Sequence, residues 1–116
     1  MNREELKKVF GKNFRKELKK EFKQDLKSNI YFYVNNLTKN DSFYTQYHVE
    51  DKNTGETKFD FGALKKDVLM YIDNSIIKVN NGFSEIFGIT FKLTDSDLDE
   101  LFGYYLNQYF YRLLKR

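Results

Sequence analysis

Residues 29–36 read Asn29-Ile30-Tyr31-Phe32-Tyr33-Val34-Asn35-Asn36, and they satisfy two periodicities at once. Ile30, Phe32 and Val34 alternate with Tyr31, Tyr33 and Asn35, the pattern of a strand with one apolar face. Leu26, Ile30, Tyr33 and Leu37 also recur at helical spacing, which would carry an upstream helix on to about Leu37. Aromatic and β-branched residues dominate the run, and these types favour a pleated, half-buried surface. The residues therefore predict a strand that joins the hairpin downstream in a three-stranded antiparallel meander over 29–61, and Thr38–Ser42, rich in polar turn formers, ends the element.

Upstream, Leu6, Phe10, Phe14, Leu18, Phe22 and Leu26 recur every four positions and predict a helix over residues 1–27. A strict four-residue step drifts about 40° per repeat, so the stripe winds around a straight helix, and a bend at Gly11 would accommodate it. Glu17 and Glu21 flank Leu18 and narrow the apolar face. The same 27 residues carry ten Lys or Arg against five Asp or Glu, a local charge of +5, whereas the other 89 carry ten against twelve. All the excess positive charge is in one segment. Lys12, Arg15, Lys16, Lys19, Lys23 and Lys27 follow three- and four-residue steps on one flank, as a phosphate-binding stripe or a solvated helix face would.

Downstream, Phe43 to Phe61 predicts a hairpin centred on Lys52-Asn53-Thr54-Gly55-Glu56, with Gly55 in the left-handed region of a three-residue bulged loop. That register sets Glu50 opposite Lys58, Val49 opposite Phe59, His48 opposite Asp60 and Tyr47 opposite Phe61. Leu64, Val68, Ile72 and Ile76 predict a helix over 62–78, with Asp60 as cap and a stop at Asn80-Asn81-Gly82. Ile89, Phe91 and Leu93 alternate as a short strand, and a last helix starts at Thr94, where Thr94 and Asp97 form a capping box. Asp95, Asp97, Asp99 and Glu100 then lie at its positive dipole end. The expected class is α+β: helix, three-stranded meander, then two helices separated by a short strand, in one domain over 1–116.

Composition excludes several functions. The chain has 116 residues, no cysteine and 18% aromatic side chains, which fits a packed core without disulfides, thiol catalysis or thiolate metal sites. No apolar run is long enough to cross a bilayer and no signal-peptide pattern opens the sequence, so a cytoplasmic location is expected. Asp95, Asp97 and Asp99 share the spacing of a calcium loop's first ligands, but Glu100 stands where that loop needs glycine and Leu106 where it needs its closing carboxylate. Glu56 and Lys58 form an E-x-K fragment that turn geometry explains as well as nuclease chemistry does. His48 is the only histidine, and its expected partner Asp60 explains it more simply than catalysis. Neither Gly-rich phosphate loop is present. No enzyme activity, metal or cofactor is expected.

Two roles follow. The first is a nucleic-acid accessory protein that contacts DNA or RNA backbone through the basic helix, with little sequence readout because lysine far outnumbers arginine. The element order is similar to that of double-stranded RNA-binding domains, with Lys65 and Lys66 opening the helix after the strands. This is an analogy of order alone, since that family's loop chemistry is missing and the first helix is too long. The second role is a small inhibitor or adaptor, of the kind mobile elements encode against host defences, that binds an acidic or nucleic-acid-binding protein. Tyr31, Tyr33 and Tyr44, on the outward side of their strands, would supply its contact surface.

Overall fold

Phe14, Leu18, Phe22, Leu26, Ile30 and Val34 stand four apart without a break, and all six are buried along a single helix. The computed structural model describes Glu4, Glu5 and residues 14–115. Within these, helix α1 spans Phe14–Leu37, so the stretch expected as a strand is the end of the first helix. Leu6, Phe10, Gly11 and Lys12, on which the expected bend and part of the stripe depend, lie outside the described residues. Continuity of the four-residue stripe decides the outcome. Ile30 and Val34 extend the ridge begun by Phe14, and that burial outweighs the strand preference of Tyr31-Phe32-Tyr33, a preference that depends on context. Phe32, expected in the core with Ile30 and Val34, instead points to solvent at 62% exposure.

Backbone bonds from Lys39 N–H to Asn36 O and from Asn40 N–H to Leu37 O close α1. A 3-10 turn at Asp41–Tyr44 then places Phe43 in the core. Two three-residue strands follow, β1 (His48–Glu50) and β2 (Thr57–Phe59), and they form the only sheet among the described residues. Among the described residues there is no three-stranded meander, and with it the analogy to double-stranded RNA-binding domains lapses.

The hairpin register is one residue away from that expected: His48 faces Phe59, Val49 faces Lys58 and Glu50 faces Thr57. Local side chains enlarge the loop. Asp51 Oδ1 accepts from Asn53 N–H at 2.9 Å and Thr54 Oγ1 from Glu56 N–H at 3.3 Å. Asp51 and Glu56 thereby close a four-residue loop through a 2.8 Å backbone bond. Gly55 takes the left-handed conformation, φ +73°, as its sequence context predicts. A one-residue shift exchanges the faces of the strands, so the Glu50–Lys58 and His48–Asp60 pairings are lost. The His48 ring lies 5.8 Å from that of Phe59, edge to face.

Asp60 is left to cap the next helix, accepting from Ala63 N–H at 3.0 Å. Helix α2 (Phe61–Phe87) runs straight through Asn80-Asn81-Gly82 and stops only at Gly88, whose φ of +67° is the left-handed C-cap. Asn80 has another role. Its side-chain amide donates to Phe91 O at 2.9 Å and accepts from Phe91 N–H at 2.7 Å, satisfying the backbone that a strand partner would have satisfied. Residues 89–93 are consequently not a strand, yet Phe91 is held in the core. Helix α3 (Asp95–Leu114) begins with the Thr94–Asp97 capping box.

Residues 14–115 thus form a mainly helical fold of three α-helices and one short hairpin, not α+β with a meander. Helix α1 packs against both α2 and α3, more extensively than these pack on each other. At one end of the core Phe22, fully buried, meets Phe83 at 5.5 Å and Phe91 at 5.2 Å. Towards the other, Tyr33 stacks on Tyr71 at 4.0 Å, and Phe43 and Tyr47 pack on Tyr109. The Tyr47 hydroxyl donates to Asp67 at 2.6 Å.

Candidate interaction surface

The ridge of α1 is flanked by two charged rails. One residue after Leu18, Phe22 and Leu26 come Lys19, Lys23 and Lys27; one residue before them come Glu17, Glu21 and Asp25. At 100° per residue the two sets lie on opposite sides of the ridge.

The basic rail faces α3. Lys19 Nζ is 3.0 Å from Asp97 Oδ2, and Lys23 Nζ bridges Asp97 at 3.2 Å and Glu100 at 2.7 Å. Lys27 Nζ lies 3.7 Å from Glu100 and 5.9 Å from the centre of the Tyr104 ring. Asp97 also accepts from the Thr94 backbone N–H and hydroxyl in the capping box. The Thr94 amide first, then Lys19, the Thr94 hydroxyl and Lys23, hold its carboxyl far below the usual carboxylate range, against an opposing effect of burial. Glu100 is likewise lowered, chiefly by Lys23, whose own ammonium pKa is raised, chiefly by Glu100. These lysines form the seam between the first and last helices.

The remaining residues of the expected stripe are dispersed. Arg15 is exposed, with its guanidinium 5.7 Å from the Phe91 ring centre, and Lys16 is exposed without an acidic partner among the described residues. The expected aromatic contact surface divides as well. Tyr31 is partly exposed beneath Arg112, whose guanidinium is 5.0 Å from its ring. Tyr33, still partly exposed, stacks on Tyr71 beside Tyr105, and Tyr44 is half-buried against Phe43.

The acidic rail borders an open groove between α1 and α2. Glu17, Glu21 and Asp25 form one lip, Leu18, Phe83, Ile86 and Phe87 line the rest, and the cavity measures about 510 Å³. A second hollow continues it past Asn29, Val79 and Gly82, sharing Asp25, Phe83 and Ile86. Glu17 has a 3.4 Å contact with Lys20, but neither Glu21 nor Asp25 has a cation at ion-pair distance among the described residues. Partial burial at the lip, and then the charge of Glu21, raise the Asp25 carboxyl above its usual value. In the sequence these acids look like blemishes on an apolar face. Their i, i+4 spacing on the side away from the lysines was the available signal, and Ile86 was hidden by the expected stop at Gly82.

Among the described residues no group of three or more His, Asp or Glu side chains could hold a metal ion, and no helix is long and apolar enough to cross a membrane. No buried side-chain polar atom among them lacks a hydrogen-bond partner. What this surface offers is apolar area beside fixed charge. Protein families, curated proteins and solved structures gave no match to this chain. Its chemistry must therefore be read from its own residues.

Proposed function

We propose that the chain is a non-enzymatic protein-binding module, an adaptor or inhibitor that engages a partner protein through the apolar surface its helices leave uncovered. One contrast carries this reading. Lys19, Lys23 and Lys27 are engaged with Asp97 and Glu100, whereas Ile86, 67% exposed, lines an open groove, and Phe32, 62% exposed, borders a hollow that meets the groove's extension at Asn29. Single exposed apolar residues are ordinary on any surface; the continuity of these two with a groove is what supports a contact site. Capture from nuclease-treated host lysate should retain a specific protein, and Phe32→Asp or Ile86→Asp should release it while circular dichroism stays unchanged. Capture that is indifferent to both substitutions removes this reading.

Lys16 favours a second reading, a weak contact with nucleic-acid backbone, because it is exposed and unpaired among the described residues. Arg15 and Lys20 lie beside it among the described residues, and contact through these three cations alone gives log K against log salt a slope no steeper than about −3. A low-salt titration with duplex and single-stranded DNA and RNA checks this, and a steeper slope would point back to the whole basic helix.

A further inference from the structure

The two rails of α1 are treated differently by the rest of the chain. The basic rail receives an acidic helix, α3, and among the described residues the acidic rail receives none. We propose that the groove between α1 and α2 docks a cationic amphipathic helix of a partner protein, with Lys or Arg spaced i, i+4 along its flank against Glu17, Glu21 and Asp25. This rests on the protein-binding reading above and names the chemistry of its partner.

Three observations support that occupant. The floor is apolar and continuous, from Phe87 and Leu18 past Phe83 and Ile86 to Val79, which suits the apolar stripe of a helix. The lip is a regular array: Glu17 to Asp25 spans eight residues, about 12 Å of helix, and the matching residues of a parallel or antiparallel partner helix recur at the same pitch. The array is also self-repelling, since like charges at i, i+4 destabilise a helix and the Asp25 carboxyl already experiences that of Glu21. A cationic partner removes the repulsion and an anionic one adds to it. Gly82 opens the α2 wall. A side chain built there would meet nothing within 4 Å, so a partner side chain can approach the backbone.

Two fluorescent helical peptides of roughly 18 residues, with the same Leu and Ile stripe but lysine or glutamate on the flanks, test this against the full chain by anisotropy. The lysine peptide should bind, weaken with salt and exceed the glutamate peptide. Glu21→Lys with Asp25→Lys should weaken it by about tenfold, the effect of losing two partly exposed ion pairs. Gly82→Met should block it with no loss of helical signal. Failure of the lysine peptide to bind, equal binding of both peptides, or indifference to both variants overturns the proposal. If the peptide fails while Phe32→Asp still releases a captured protein, the docking groove is wrong and the protein-binding role stands. If capture fails too, both fall.

Discussion

Asn80 makes two backbone hydrogen bonds with one residue, Phe91, and thereby replaces a strand. Asn80→Leu should lower unfolding free energy by about 1–3 kcal/mol, because it leaves a half-buried N–H and C=O without partners; urea denaturation measures it. Phe22 is the best enclosed aromatic side chain of the core, and Phe22→Ala should cost about 3–5 kcal/mol in the same assay. The opposite sign is expected at Gly103. It lies inside α3 with open space where a Cβ would stand, so Gly103→Ala should stabilise by about 0.5–1 kcal/mol. Residue-scale signals of turn and cap chemistry were legible in the sequence: Gly55, Asp60 and the Thr94–Asp97 box all act as their types predict. Asn80 was not. Asparagine before Asn-Gly is a stop signal for a local reading, and only the tertiary position of Phe91 turns it into a clamp.

At the scale of elements, the seam between α1 and α3 alters what substitution of the basic residues reports. Changing Lys19 and Lys23 to Glu sets four carboxylates against one another at the start of α3, and should destabilise the fold by about 1–2 kcal/mol. Thermal unfolding detects this, and any lost binding in such a variant reflects the fold as well as the surface. The helix starting at Thr94 was readable because its cap and acidic first turn agree. The segment 29–36 was ambiguous because period two and period four both fit Ile30 and Val34, and only the ridge running back to Phe14 separates them. The hairpin was recognisable by its glycine but not in its register, since Asp51 and Thr54 each add a local bond that enlarges the loop. Of the candidate surface, the sequence showed the basic rail and could not show that the chain neutralises it.

Across the whole molecule, stability should form a plateau between the carboxylate range and about pH 10. Asp97 and Glu100 have folded pKa values below their ordinary 3.8 and 4.5. Their contribution is complete above those ordinary values and is lost as pH falls through the lowered ones. Asp25, raised, acts with the opposite sign and offsets part of the loss. On the alkaline side, burial raises Tyr33, Tyr47, Tyr71, Tyr105 and Tyr109 above their ordinary 10.0. The unfolded chain ionises first, so stability falls as pH rises beyond about 10, together with the part held by Lys23, whose pKa is also raised. Denaturant midpoints measured from pH 3 to 11.5 should trace this plateau, and a midpoint still rising above pH 10 would contradict the burial of the tyrosines.

The helix that organises the core is also the first of the three to be made. During synthesis α1 emerges with Phe14, Phe22, Ile30 and Val34 in water, and although α2 covers part of that ridge, its partner in charge and in tyrosine packing is α3, the last of the three described helices to be translated. A nascent chain stopped before Asp95 therefore carries an unpaired lysine seam and an open apolar ridge. Completion of the fold waits for the final helix, and chains released early should be substrates for chaperones or proteases.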